Sequence, residues 1–289
     1  MERIIKQPDL IFGSDFHLRD TIPICRTDDS VSAQTKKLNF ISALQERYGC
    51  PFVHAGDVWD TWKPTPFMIT YAIKYLPKVF WTIIGNHDAP QHNLSLIPKS
   101  GLQVLAESGR IKILDTCHFG QIPTEPSLII KGRRILIWHK MVWQKTKPYP
   151  TCVDPPASTI LKQYKECHLI LTGDNHKTFV EEYEGRLLVN PGSMMRMDAD
   201  QADHKPCVFL WYAEDNSVQQ VFLPIEEGVV SREHLVVKQE RDSRIDAFIS
   251  KLNNKYEVSL SFEDNLTAFF NANNTDSEIK QIIYKSIEK

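Results

Sequence analysis

Short apolar runs alternate with stretches of helical periodicity over the first third of the chain. Residues 9–13 (DLIFG) form a compact apolar run of the kind a buried strand shows. Val31, Leu38, Ile41, Leu44 and Tyr48 then recur at sums of three- and four-residue steps, which predicts an amphipathic helix. A second strand-like run, PFVHA, covers residues 51–55. Thr65 followed by Pro66 has the form of an N-cap and first-turn proline, opening a helix to about Leu76. Residues 78–84 (KVFWTII) are the third strand. The order β-α-β-α-β predicts a parallel or mixed sheet covered by helices.

The pattern then becomes richer in strands. Residues 127–130 and 135–139 read as a hairpin about a KGRR turn. Residues 145–156 carry four prolines and read as a surface loop. A strand at 168–172 precedes two more at 178–183 and 186–190, joined by a Glu184-Gly185 turn, and a hairpin covers 207–212 and 218–223. Beyond residue 225 the pattern gives one strand at 235–238 and two helical segments at 243–252 and 276–287. The expected division is a main domain over 1–224 and a small α/β extension over 225–289.

Composition changes little in this picture. The chain has 289 residues, 42% of them hydrophobic, enough for a sizeable core. Net charge is −2, from 34 Lys+Arg against 36 Asp+Glu, so any attraction for a polyanion has to be local. No run reaches the ~20 apolar residues of a membrane helix, and the first residues show no secretory signal. The six cysteines are scattered without a CxxC pair, as in a cytoplasmic protein with reduced thiols. No membrane association is expected.

What singles the sequence out is where its metal-ligating residue types fall. Five pieces follow strand-like runs: DFH (Asp15, His17), GDVWD (Asp57, Asp60), GNHD (Asn86, His87, Asp88), WH (His139) and GDNH (Asp174, His176). In open α/β sheets, ligands bind beyond the carboxyl ends of strands, so five such ends can converge. Carboxylates 4 Å apart repel by ~4 kcal/mol per pair at an effective dielectric near 20. Cations remove that repulsion. A mixed Asp/Asn/His set suits manganese, iron or zinc, and a bridging carboxylate suits a metal pair that clamps both oxygens of a phosphoryl displacement.

In identity and order these pieces resemble the calcineurin-like metallophosphoesterase superfamily over about residues 10–195. The resemblance implies an α/β metallophosphoesterase-type β-sandwich flanked by helices. It also implies one metal on Asp15, His17, Asp57 and His176, and a second on Asp57, Asn86, His139 and Asp174. His87 would serve as the catalytic acid, assisted by Asp88. The family has a histidine where this chain has Asp174, a harder ligand that favours manganese or magnesium over zinc. Within the superfamily, the stretches HAGDVWDTWKPTP, VFWTIIGNHD and NPGSMMRMDADQADHKPCVFLWY are most similar to SbcD-type DNA repair exonucleases of bacteria and phages. That similarity implies DNA as substrate, an SbcC-like ATPase partner and a homodimer.

Arg196 and Trp62 are the expected substrate contacts, by a charge-assisted fork to phosphate and by base stacking. Phe67 and Tyr71 read as core, Asp60 as a supporting residue, and His54 as a core histidine. The apolar stripes Ile245, Phe248, Ile249, Leu252 and Ile279, Ile282, Ile283, Ile287 are candidate docking faces for the ATPase. Two other functions remain open on sequence grounds: a small-molecule phosphodiesterase or phosphatase with the same metals, and a catalytically inactive binding scaffold.

Overall fold

The structure is a computed structural model that describes residues 6–253 and 261–287. Its contacts divide the chain into a unit over Met1–Ser231 and a unit over Arg232–Lys289.

In the first unit the chain runs β1 (Leu10–Gly13), α1 (Ser30–Tyr48), β2 (Phe52–His54), α2 (Pro66–Tyr75), β3 (Phe80–Thr82), α3 (Gly101–Glu107) and β4 (Lys112–Ile113). It continues through β5 (Leu128–Ile130), β6 (Arg133–His139), α4 (Ala157–Gln163), β7 (Leu169–Gly173), β8 (Phe179–Tyr183), β9 (Arg186–Asn190), β10 (Cys207–Tyr212) and β11 (Ser217–Phe222). Two sheets result, one ordered β11-β10-β1-β2-β3-β4 and the other β5-β6-β7-β9-β8. The first is parallel from β1 to β4, and the second is parallel across β6, β7 and β9.

Alternation along each strand sets the layers. Leu10, Phe12, Val53, Phe209 and Trp211 of one sheet share a core with Ile135, Ile137, Leu169, Leu171, Leu187 and Val189 of the other. The intervening residues point outward. Ile11, Phe52, Val208 and Leu210 pack with Leu38 and Ile41 of α1, Met68 and Ala72 of α2, and Leu102 and Leu105 of α3. Leu136, Trp138, Ile170 and Leu188 pack with Ile160 and Leu161 of α4. The sandwich therefore has four layers, helix–sheet–sheet–helix. The strands carry near-continuous apolar runs because both their faces are buried.

The helix ends follow their sequence signals. Asp29 caps α1 by accepting from the Val31 and Ser32 amides, and Thr65 caps α2 by accepting from Met68 N at 3.3 Å, with Pro66 at the first helical position. Tyr71 is buried, as expected, but Phe67 is 56% exposed: one helical turn earlier, it points past the core.

The second unit corrects the expected extension. Residues 235–238 are not a strand; they lie inside α5 (Glu233–Asn253), followed by α6 (Phe262–Ala272) and α7 (Ser277–Ile287). Its described residues are helical rather than α/β. Phe270 is buried against the Tyr284 ring at 5.5 Å, and Ser261 caps α6. Ile279 and Ile282 of α7 stay half or more exposed, and the side chains of Phe248 and Leu252 lie outside the described residues. No helix among the described residues is long and apolar enough to cross a membrane.

Candidate active site

The parallel strands β1, β2 and β3 end on the same edge as β6 and β7, and each hands the chain into one of the five pieces. After β1 come Asp15 and His17, after β2 Asp57, after β3 Asn86 and His87. His139 is the last residue of β6, and Asp174 and His176 follow β7. Asp15, His17, Asp57 and Asp174 all have positive φ, at 51°, 44°, 61° and 79°. L-residues avoid this region at a cost of roughly 1–2 kcal/mol each. Strain of this kind persists where the surroundings enforce it and gathers at functional sites.

Those turns bring the expected side chains together. His17 Nε2 lies 3.2 Å from His176 Nε2 and 3.6 Å from Asp57 Oδ2. His139 Nε2 lies 2.8 Å from Asn86 Oδ1, 3.3 Å from Asp57 Oδ2 and 3.9 Å from Asp174 Oδ1. Asp57 thus stands between one imidazole from each side. Ligand atoms of Asp15, His17 and His176 form one close group, and those of Asp15, Asp57 and His139 another. Asp174 belongs to neither group. About a third of its side chain, 34%, is accessible.

The donor set fits divalent cations. His139 Nδ1 donates to Ala55 O at 2.7 Å, leaving Nε2 to face the oxygens of Asn86 and Asp57. Asp15 Oδ2 is buried without a hydrogen-bond partner. Lone pairs from two carboxylates, an amide and three imidazoles converge. Burial alone would raise Asp57, but His139, His17 and His87 outweigh it and hold its carboxyl below the ordinary range. Burial alone would lower His139, but the carboxylates of Asp57, Asp15 and Asp174 push it up to about 10. In the metal-free site, a proton on His139 thus does part of the work of a cation. His17, by contrast, is pushed down to about 3 by burial and by the neighbouring imidazoles, so it offers a neutral nitrogen. Burial likewise raises Asp15 and Asp174.

His87 is exposed at the rim of this cluster, its ring centroid 4.7 Å from that of His17. Its backbone N–H donates to Asp57 Oδ1 at 2.9 Å and its Nδ1 donates to Asp60 O at 2.7 Å. Nε2 is left free to give or take a proton. Asp60 also binds Arg19 at 3.2 Å, which steadies the carbonyl that orients His87.

Asp88 differs from its expected part. It is fully buried, and its carboxylate accepts from the backbone N–H groups of Asp57, Val58, Trp59 and Gly85 at 3.0–3.3 Å. It pins the Asp57 turn to the Gly85 turn and makes no contact with the His87 imidazole. Burial and the Asp57 carboxylate push Asp88 up to about 7, against four amide donors that favour its ionised form.

Arg196 is likewise a correction. It is 4% exposed, and its guanidinium donates to the carbonyls of Ala202 and Glu226, so it is turned away from the ligand cluster and fastens backbone instead. Trp62 is partly buried, receives Gly101 N on its carbonyl, and lines neither of the two cavities beside the ligands. Those cavities, of about 690 and 530 Å³, share Asp174 and Met141. The larger runs past His176 to Tyr149, Lys177 and Asp198. The smaller runs past Asn86 and His139 to Gln121 and Tyr164.

Sequence reasoning missed the residues that hold the last turn. Asn190 Nδ2 donates to the carbonyls of Asn175 and Lys177, and Thr172 Oγ1 donates to Asn190 Oδ1 at 3.0 Å. The NPGS motif carried that signal, because an asparagine at a strand end before Pro-Gly reaches neighbouring backbone.

The sequence pattern of the calcineurin-like phosphoesterase superfamily domain matches residues 9–214, the span that contains every one of these candidate ligands. The chain belongs to this superfamily. No curated protein sequence matches it. Among solved structures, one described as a novel archaeal phosphodiesterase shares 14% identity, with a TM-score of 0.42 over 74% of this chain and 99% of that one. A Staphylococcus aureus protein assigned as a 5'-nucleotidase, in complex with alpha-ketoglutarate, shares 12% at a TM-score of 0.45, covering 81% of this chain and 58% of that one. Vacuolar protein sorting 29 of Cryptosporidium parvum shares 15% at 0.39, over 75% and 97%. The family match, together with the candidate ligand groups, supports a metal-dependent phosphoester hydrolase.

Proposed function

We propose that this phosphoesterase is a dinuclear-metal phosphodiesterase acting on DNA, an exonuclease or endonuclease of repair or replication. The observation that carries the hydrolytic part is Asp57, set between His17 and His139 with an orienting bond to each flank of the site. One cation would be held by Asp15, His17, Asp57 and His176, and the other by Asp57, Asn86, His139 and Asp174. Manganese is the preferred ion, with magnesium, iron or zinc as substitutes, because Asp174 adds a hard oxygen. Bound there, the pair supplies charge neutralisation on both oxygens of an in-line displacement. His139 is oriented by Ala55 O and His87 by Asp60 O, so neither imidazole has to be ordered during the reaction. His87 Nε2 gives its proton to the leaving oxygen. Asp88 positions the turn that carries Asp57 and is not itself an acid in the reaction.

Support for a polymer comes from two cavities that continue on both sides of the ligands, with Tyr149 half exposed on one wall as a stacking surface. The sequence stretches similar to the SbcD-type nucleases supply the choice of DNA. Asp198, Asp200 and Asp203 share the Tyr149 cavity with Lys177 and Lys205, so its wall carries both signs of charge. An SbcC-like ATPase partner and a homodimer belong to the same proposal, supported by the exposed Ile279 and Ile282 of α7. The smaller cavity, at about 530 Å³, also has the volume of a mononucleotide-sized ligand site, which favours the small-diester reading as the second one.

The test is digestion of end-labelled single- and double-stranded DNA with manganese or magnesium, beside His87→Ala. Shortened products from wild type, with a rate lowered by on the order of 10²–10⁴ in the variant, are expected. DNA left intact while a small diester is cleaved by wild type alone would assign the small-molecule activity instead.

A further inference from the structure

Apart from the metal ligands, the first unit holds a second charged cavity. It measures about 130 Å³ and is lined by Arg26, Lys36, Lys37 and Arg196, with Asp28 and Glu226 as the acidic members. Four cations face two carboxylates. Both carboxylates are already engaged, Asp28 with Arg26 and Glu226 with Lys36. Arg196 spends its guanidinium on carbonyls. Lys37 is left over. It is 4% exposed, and among the described residues it has no hydrogen-bond or ion-pair partner. Arg26 Nε is a second buried donor without an acceptor.

A buried, unpaired ammonium is costly. Burial first, then the like charges of Arg26 and Arg196, push Lys37 down to about 8, so it is still mostly charged at neutral pH. An anion entering the cavity would meet a charged donor that nothing among the described residues satisfies. The volume is far below the ~300–1,000 Å³ of nucleotide- or drug-sized pockets, and it suits a small oxyanion. One feature chooses among oxyanions. Asp28 Oδ1 is buried with no donor. Hydrogenphosphate carries an O–H to give it, whereas sulfate at neutral pH carries none and would only repel it.

We propose that this cavity is a phosphate site, with Lys37 and Arg26 as donors and Asp28 as acceptor for the phosphate hydroxyl. The bound species is inorganic phosphate or the terminal group of a phosphomonoester. Arg196 ties the site to the metal cluster through the chain, since Met194, two residues earlier, donates to Asp15 O at 3.1 Å.

The experiment is thermal unfolding of the full chain stripped of metal, so that phosphate cannot report on the metal ligands. Phosphate, sulfate and chloride are compared at equal ionic strength, with a nucleoside monophosphate as a further arm. Phosphate at tenfold its dissociation constant is expected to raise Tm by about 3–6 °C for a chain of this size, and sulfate by clearly less. The monophosphate matching phosphate assigns a phosphomonoester; its failing to do so assigns the free ion. Lys37→Met is expected to lose the phosphate shift while keeping its Tm in chloride. Asp28→Asn is expected to erase the preference over sulfate, and it carries the decision if Lys37→Met does not fold. Equal Tm values for wild type in phosphate and chloride, or an undiminished shift in Lys37→Met, would overturn the site.

Discussion

Asp88 shows how far a residue's role depends on neighbours that sequence does not name. In the GNHD piece it sits beside His87, and the family resemblance implied that it assists that acid. Its carboxylate instead collects four backbone N–H groups from two different turns. Asp88→Ala strands four buried donors, each costing ~1–3 kcal/mol, so a loss of at least ~3 kcal/mol in urea unfolding is expected. Asp88→Asn, which keeps one acceptor oxygen, should lose less. A loss under ~1 kcal/mol for the alanine variant would contradict the positioning role. That these side chains gather in one place was legible because Asp, Asn and His recur directly after apolar runs that read as strands. Their positive φ values were not, since no local rule puts Asp15, His17 or Asp57 in the left-handed region. Arg196 was misread because its acceptors, Ala202 and Glu226, come from backbone folded against it.

At the scale of elements, the site depends on how closely the turns approach. A Cβ on Gly85 would lie 2.1 Å from Asp57 Oδ1 and 2.2 Å from its backbone N. Gly85→Ala is therefore expected to displace Asp57 and lower metal affinity at least tenfold, a loss of ~1.4 kcal/mol, by titration of the metal-free protein. Wild-type affinity in that variant would mean Asp57 is not a ligand. Elements long enough to show a period were readable, α1 and α2 with their caps among them. The seven-residue helices α3 and α4 are too short for periodicity to emerge. Leu235-Val236-Val237-Lys238 misled for the opposite reason. Its β-branched run is a strand signal by itself, but the 21-residue helix around it overrides that local preference.

At the scale of the molecule, two sheets pack so that their carboxyl edges meet, and the carboxyl and imidazole groups gathered there answer to one another. Stability should report this. In metal-free protein His139 is raised to about 10 from its ordinary 6.5, so the folded state holds a proton that the unfolded state releases. That stabilisation is complete below about 6.5 and is lost as pH rises toward 10. Asp88, raised to about 7, acts in the same direction below neutrality. Lys37, lowered to about 8, acts in the opposite direction above it. His17, lowered to about 3, and the other histidines that burial lowers, His54 among them, act in the opposite direction up to about pH 7, so the clean window is pH 7–8, where unfolding free energy in EDTA is expected to fall with pH by at most ~1.4 kcal/mol per unit for one proton. Stability that rises across this window would contradict the charge state assigned to His139.

The sandwich itself was largely readable, because buried parallel strands announce themselves as apolar runs. How its two edges close on one point was not, since that depends on packing between residues 53 to 159 positions apart. The proposed metal pair bridged by Asp57 is measured directly by anomalous scattering from a manganese-soaked crystal. The expected result is two peaks about 3.5–4 Å apart, with Asp57 between them. A single peak, or a pair that Asp57 does not touch, would contradict the account.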